Sequence, residues 1–113
     1  MSIKLSKTIC EATTFENEYA NGYIRKYSDG FIEIFGRVVT KTGNDFWFLS
    51  PVKLLGTYSL ITTNRWSNYK DVCITAHYSE IENRLYFYPY ESTTGNRVSV
   101  EVDFSFEIKG RWK

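Results

Sequence analysis

The chain of 113 residues is long enough for one domain with a modest core, and its 14 basic and 13 acidic residues leave a formal net charge of +1. This balance, without a basic cluster, gives no reason to expect nucleic-acid binding, and no apolar run approaches the ~18 residues of a membrane span. Aromatic residues reach 18% of the chain, an excess typical of β-strands and of surfaces that contact another molecule.

The first 21 residues have weak periodicity and are mostly polar. We therefore expect residues 1–21 to form an N-terminal arm or the remnant of a fibre shaft, with a strand near residues 3–9 as one option. Asn21-Gly22 is a turn signal that opens the first clear strand. The predicted β-domain accordingly covers residues 22–113.

Two runs of β-forming residues meet at Asp29-Gly30, which is typical of a type I′ hairpin turn. Side chains alternate in polarity on both sides of this turn, as they do in half-buried strands. After the turn, Ile32 and Ile34 share one strand face. Gly36 ends the run, and a glycine there suits a bulge or the close approach of another backbone.

The rest of the chain alternates between strand patterns and turn signals. Strand patterns cover residues 46–49, 57–63, 72–79, 85–90 and 97–109. The last is the plainest, because apolar side chains occupy every second position from Val98 to Ile108. Seven or eight strands at this spacing, with no helical period, predict an all-β antiparallel β-sandwich.

The sequence lacks the parts that enzymes and metal sites need. One histidine and two separated cysteines do not make a zinc site. No Gly-x-Ser-x-Gly elbow and no glycine-rich phosphate loop occur, and the carboxylates of Glu101, Asp103 and Glu107 fall on a predicted solvated strand face. We therefore expect no enzymatic activity, no cofactor and no bound metal.

Two features suggest binding. Tyr86, Tyr88 and Tyr90 share one strand face, which fits cross-strand packing, a subunit interface or stacking on sugar rings. The predicted loop at 64–70 mixes aromatic, amide and basic side chains, which suits saccharide recognition, although a solvent loop with Trp66 over the core is the alternative. With the neighbouring loop at 91–96, the expected ligand-binding residues are Asn64, Arg65, Trp66, Asn68, Tyr69 and Asn96.

Residues 21–36 resemble the opening of the C-terminal domain of phage tail fibre proteins of the gp53-like type. Those domains begin with Asn-Gly, a short strand, a polar-Gly turn and a second strand that usually ends in Gln-Trp-Gly. Here Ile34-Phe35-Gly36 occupies that ending, so Gln and Trp are replaced. The stretches 58–61 and 104–110 also resemble the middle and the end of the family pattern, so the resemblance covers about residues 22–113.

The resemblance implies a parallel homotrimer at the tip of a virion tail fibre, of a phage or a phage-tail-like bacteriocin. Its partner would be a host cell-surface glycan or protein receptor, bound through exposed loops. The residues expected at the subunit interface are Tyr23, Tyr27, Phe35, Tyr86, Tyr88 and Tyr90. The alternatives are a purely structural module that trimerises or caps a fibre, a lectin-like bacterial adhesin, and a small hydrolase of surface polysaccharide.

Overall fold

A computed structural model describes residues 8–40, 46–67, 71–97 and 102–113. Within these ranges all regular structure is β, and no helix occurs. The strands are β1 (Cys10–Glu16), β2 (Ala20–Tyr27), β3 (Phe31–Thr40), β4 (Phe46–Leu49), β5 (Gly56–Ser67), β6 (Val72–Ser79), β7 (Arg84–Glu91) and β8 (Val102–Arg111).

The strands form two antiparallel sheets. One has five strands in the order β1-β2-β3-β8-β5, and the other has three in the order β4-β7-β6. Side chains from both sheets share one apolar core, so the arrangement is sandwich-like. The expected all-β antiparallel fold is confirmed.

The centre of the core is aromatic. Phe104 and Phe106 of β8 are buried, and the ring of Phe87 on β7 meets them at centroid distances of 5.2 and 5.4 Å. Ile32 and Ile34 on β3 are fully buried beside them. The alternation predicted for the hairpin and for the last strand is confirmed within the described ranges, although Val98 and Val100 lie outside them.

The hairpin between β2 and β3 is confirmed, but the predicted type I′ turn is wrong. Only Gly30 has a positive φ, of 99°, whereas a type I′ turn needs positive φ at both central residues. The Gly30 N–H donates to the Tyr27 carbonyl at 3.0 Å, and the Phe31 N–H donates to Asp29 Oδ1 at 3.1 Å. The loop is therefore a three-residue one, in which glycine alone takes the left-handed conformation.

A strand also occurs within residues 1–21, which were expected to form an arm or the remnant of a fibre shaft. β1 lies within the segment assigned to an arm, and it pairs with β2 from Cys10↔Tyr27 to Glu16↔Asn21. Almost all of its side chains are exposed, so it carries no alternation that a sequence pattern would reveal. Main-chain pairing with β2, together with the Phe15 ring that packs against Phe106, holds this edge strand in place. Residues 1–7, which include most of the strand considered at 3–9, lie outside the described residues.

The predicted loop at 64–70 begins later than expected. β5 continues to Ser67, and its pairing with β8 extends to Ser67↔Val102. A register shift between Asn64 and Trp66 marks a bulge that keeps this polar segment in the ladder. Asn64, Arg65 and Trp66 are therefore strand residues. At the other end of the pairing, β8 continues to Arg111, past the predicted end at residue 109.

Candidate functional site

The expected ligand-binding residues that the structure describes lie at one end of the fold, and not all of them are available to a ligand. Asn64 donates its Nδ2 to the Val72 carbonyl at 3.0 Å, so its amide is used within the fold. Arg65 and Asn96 are exposed. A 2.7 Å hydrogen bond from the Ser92 N–H to the Asp71 carbonyl links the loop after β7 to the residue before β6. The Trp66 side chain and the whole of residues 68–70, with Asn68 and Tyr69, lie outside the described residues.

The expected interface residues fall on opposite faces of the sandwich. Tyr23, Tyr27 and Phe35 lie on the outer face of the five-stranded sheet, because their strand neighbours Ile24 and Ile34 point into the core. The second group lies on the outer face of the three-stranded sheet and consists of Tyr86, Tyr88 and Tyr90. One flat contact between two subunits cannot contain both groups.

Aromatic rings and guanidinium groups alternate on the outer face of the three-stranded sheet. The Tyr86 and Tyr88 rings are nearly parallel, at 6° and 6.2 Å between centroids. The Arg84 guanidinium lies 3.7 Å from the centre of the Trp47 ring, and Arg97 lies 4.5 Å from that of Tyr88. Glu82 accepts bonds of 2.8 Å from Arg84 and from the Tyr86 hydroxyl. Part of the tyrosine stripe is thus engaged in contacts within the chain.

A cleft of about 580 Å³ lies beside this face, between the turn that joins β1 to β2 and the edge strand β4. Its volume falls within the ~300–1,000 Å³ common for small-ligand sites. Its lining combines polar and aromatic side chains: Asn17, Glu18, Tyr19, Phe46, Trp47, Phe48 and Leu49. None of these was among the residues expected to bind a ligand.

The polar wall of the cleft is held in a fixed conformation. Asn17 Oδ1 accepts hydrogen bonds from the N–H groups of Tyr19, at 2.8 Å, and Ala20, at 2.9 Å. The Asn17 N–H donates in turn to the Ala20 carbonyl at 2.9 Å. This leaves Asn17 Nδ2 as an oriented donor, and the exposed Glu18 carboxylate has no hydrogen-bond partner among the described residues.

The aromatic wall is part buried and part open. Phe46 and Phe48 stack under the Tyr19 ring at centroid distances of 5.4 and 6.4 Å, which fastens the turn to β4. Trp47 and Leu49 point the other way and are 43% and 61% exposed. The apolar run at 46–49 and the proline that follows at 51 were visible in the sequence, but the facing turn belongs to a segment without periodicity.

A smaller hollow of about 350 Å³ lies on the outer face of the five-stranded sheet, between Tyr23 and Phe35 on one side and Asn21 and Arg37 on the other. Arg37 is held by Asp103 through bonds of 3.1 and 2.7 Å. These hydrogen bonds hold the pKa of Asp103 below its usual value. Partial burial opposes this shift, whereas the positive charges of Arg37 and, to a smaller extent, Arg65 add to it. The hollow is therefore bordered by an ion pair that is already satisfied.

Among the described residues, no group of three or more His, Cys, Asp or Glu side chains is placed to hold a metal ion, and no helix is long and apolar enough to cross a membrane.

No family model, no curated protein and no solved structure matches this chain.

Proposed function

We propose that this chain is the receptor-binding tip domain of a phage or phage-tail-like bacteriocin tail fibre, and that it binds a saccharide of the host surface without converting it. The resemblance of residues 22–113 to tail fibre domains supports the setting. One observation carries the binding role: the cleft joins an exposed indole at Trp47, an oriented amide donor at Asn17 and, at Glu18, a carboxylate that no described residue pairs with.

These three groups match what a sugar offers. The C–H face of a sugar ring packs against an aromatic ring, and its hydroxyls both donate and accept hydrogen bonds. Trp47 supplies the ring, Asn17 Nδ2 supplies a donor and Glu18 supplies acceptors. Because Asn17 is held by two main-chain bonds, little conformational entropy is lost when it meets a ligand.

The proposal includes assembly as a parallel homotrimer through the outer face of the five-stranded sheet. One row of paired residues crosses this sheet. It contains Tyr23 on β2, Phe35 on β3, Glu107 on β8 and Ile61 on β5. Tyr23 is 41% and Ile61 56% exposed. Exposed apolar rows of this kind are typical of subunit contacts.

The same apolar row favours a second candidate, a structural module that trimerises the fibre and binds nothing. The two functions differ in the effect of changes in the cleft. A cap needs the outer face of the five-stranded sheet but not Trp47, whereas a receptor-binding tip needs both.

The test is a glycan array probed with the full chain and with Trp47→Ala, alongside a mass measurement in solution. Leu55→Ala is the matched control, since it removes a still more exposed apolar side chain, at 59% against 43% for Trp47, from the connector before β5. We expect Trp47→Ala to lose glycan binding at unchanged mass, and Leu55→Ala to retain binding. Glycan binding that survives Trp47→Ala would exclude the cleft, and a chain that binds no glycan but remains trimeric would favour the cap.

A further inference from the structure

We infer that the cleft selects a neutral sugar that carries an acetamido group, and that the free edge of β4 recognises this group. The inference rests on the proposed saccharide binding and specifies its ligand class.

The hydrogen-bond pattern fixes which main-chain groups of β4 are free. The Ser50 N–H donates to the Asn83 carbonyl at 2.9 Å, which continues the pairing of Leu49 with Arg84 by one residue. Facing residues in antiparallel strands alternate between hydrogen-bonded and non-hydrogen-bonded pairs. Phe48 and Phe46 therefore bond to β7, and the N–H and C=O groups of Trp47 and Leu49 point away from it.

Those groups face the cleft, because β4 is the outermost strand of its sheet and the cleft lies along it. Among the described residues, no strand pairs with β4 on that side. Trp47 and Leu49 thus present two donors and two acceptors to the cleft, about 7 Å apart along the strand.

This edge is too short to bind an extended peptide strand over its described length. The Ser50 N–H is already bonded to Asn83, and Pro51 has no N–H, so the ladder cannot continue beyond Leu49. A compact ligand fits better. One sugar ring with an amide substituent spans roughly the distance between two alternate residues of a strand.

An acetamido group matches this edge better than a hydroxyl does. Its carbonyl accepts from a main-chain N–H, a neighbouring hydroxyl donates to the adjacent main-chain carbonyl, and its methyl group packs on the exposed Leu49 side chain. A site that presents an oriented amide N–H rejects analogues that leave this group unpaired.

The charge of the cleft favours a neutral sugar. Among the described residues that line the cleft, only Glu18 is charged, and no described residue pairs with it. The nearby Arg84, which lies over the Trp47 ring, is already paired with Glu82. A carboxylate in that position attracts hydroxyl donors and repels uronic and sialic acids, which discriminates against acidic glycans.

The test compares three probes by calorimetry with the full chain: triacetylchitotriose, cellotriose, which has the same linkage without acetamido groups, and trigalacturonate. We expect chitotriose to bind at least about tenfold more tightly than cellotriose, and trigalacturonate not to bind. Equal binding of the two neutral probes would overturn the acetamido preference and leave saccharide binding intact. If none of the three and no glycan on the array binds, both proposals fail.

Two variants test the contributing groups. Leu49→Pro removes the outward N–H, and proline is tolerated where an edge N–H does not join the ladder. Leu49→Ala also removes the leucine side chain but keeps the main-chain N–H. The difference between the two variants therefore measures the contribution of that donor. We expect the preference for chitotriose over cellotriose to fall several-fold in Leu49→Pro relative to Leu49→Ala, with both variants folded by circular dichroism.

Glu18→Gln tests the charge without affecting β4. Because Gln keeps one acceptor oxygen but not the charge, we expect chitotriose binding to weaken only a few-fold and trigalacturonate to bind detectably, more weakly than chitotriose. An unchanged rejection of trigalacturonate would show that Glu18 does not set the preference for neutral sugars. If Leu49→Pro is unfolded, the ratio of the neutral probes on the unaltered chain decides the acetamido preference.

Discussion

The Phe106 ring occupies the space where a side chain on Gly36 would begin. A Cβ built on Gly36 would overlap Cε1 and Cζ of that ring, which is buried at the centre of the core. Gly36 was expected to allow the close approach of another backbone, but the group that approaches it closely is an aromatic ring from β8. The backbone contact occurs at the paired Gly22, whose Cβ would overlap the Phe35 carbonyl oxygen.

Gly36→Ala should therefore destabilise the protein. Phe106 packs against Phe87 and Phe48, which opposes its displacement by a new Cβ, so we expect a loss of about 1–3 kcal/mol in the free energy of unfolding, measured in urea. Gly56→Ala is the control, since its Cβ would meet nothing within 4 Å and its φ is not positive. Equal effects of the two substitutions would rule out the packing explanation.

The Tyr78 hydroxyl joins three parts of the chain, and its removal should be costly. It accepts a 3.0 Å bond from the buried Leu54 N–H and donates a 2.7 Å bond to Asn83 Oδ1. Tyr78→Phe keeps the ring but leaves the Leu54 N–H unpaired, so we expect a loss of about 1–3 kcal/mol in urea unfolding. Tyr88→Phe removes a hydroxyl from the outer face of the same sheet and should change stability by less than about 0.5 kcal/mol.

Stability should fall at alkaline pH because of Tyr27. The hydrogen bond from its hydroxyl to Glu33, with partial burial and the charge of Glu33, raises the pKa of Tyr27 to about 12, against an ordinary value near 10. The folded state thus holds this proton more tightly than the unfolded chain does. The corresponding stabilisation is complete below about pH 10 and is lost as the pH rises to about 12.

Tyr27→Phe isolates this contribution from that of the other tyrosines. Thermal melts from pH 9 to 12 should show a shallower loss of stability in the variant than in the unaltered chain. Parallel curves for the two proteins would show that the bond to Glu33 does not hold the Tyr27 proton.

Much of the fold could be predicted because its central strands alternate strictly. In β8, every second side chain from Val102 to Ile108 is buried, so the sequence pattern and the packing coincide. β1 could not be found in this way. Its threonines and glutamates are exposed on both faces, and its place in the sheet depends on main-chain bonds to β2, which leave no trace in side-chain polarity.

The candidate site was less predictable for a related reason. The exposed aromatic residues were visible in the sequence, but the cleft exists only because the 17–19 turn folds against β4 through Tyr19 and Phe46. These residues are far apart in sequence, and their contact depends on how the two sheets pack. By contrast, the amide of Asn64 looked available for a ligand, yet a bulge in β5 brings it to the Val72 carbonyl.

Asn17→Asp separates the binding role of Asn17 from its structural role. Asp keeps an oxygen that accepts the bonds from Tyr19 and Ala20, so the turn should survive, with stability within about 0.5 kcal/mol of the unaltered chain. The variant lacks the Nδ2 donor and places a second carboxylate beside Glu18. We expect its affinity for neutral oligosaccharides to fall at least about tenfold, measured by calorimetry.

Arg65→Ala and Asn96→Ala provide the comparison, because both change exposed residues at the end of the fold where ligand binding was first expected. If the cleft is the site, these variants should bind sugars as the unaltered chain does. Loss of binding in Arg65→Ala or Asn96→Ala, together with normal binding in Asn17→Asp, would instead assign recognition to the segments around 64–67 and 91–97. A loss in all three variants without unfolding would indicate a ligand that extends over both surfaces.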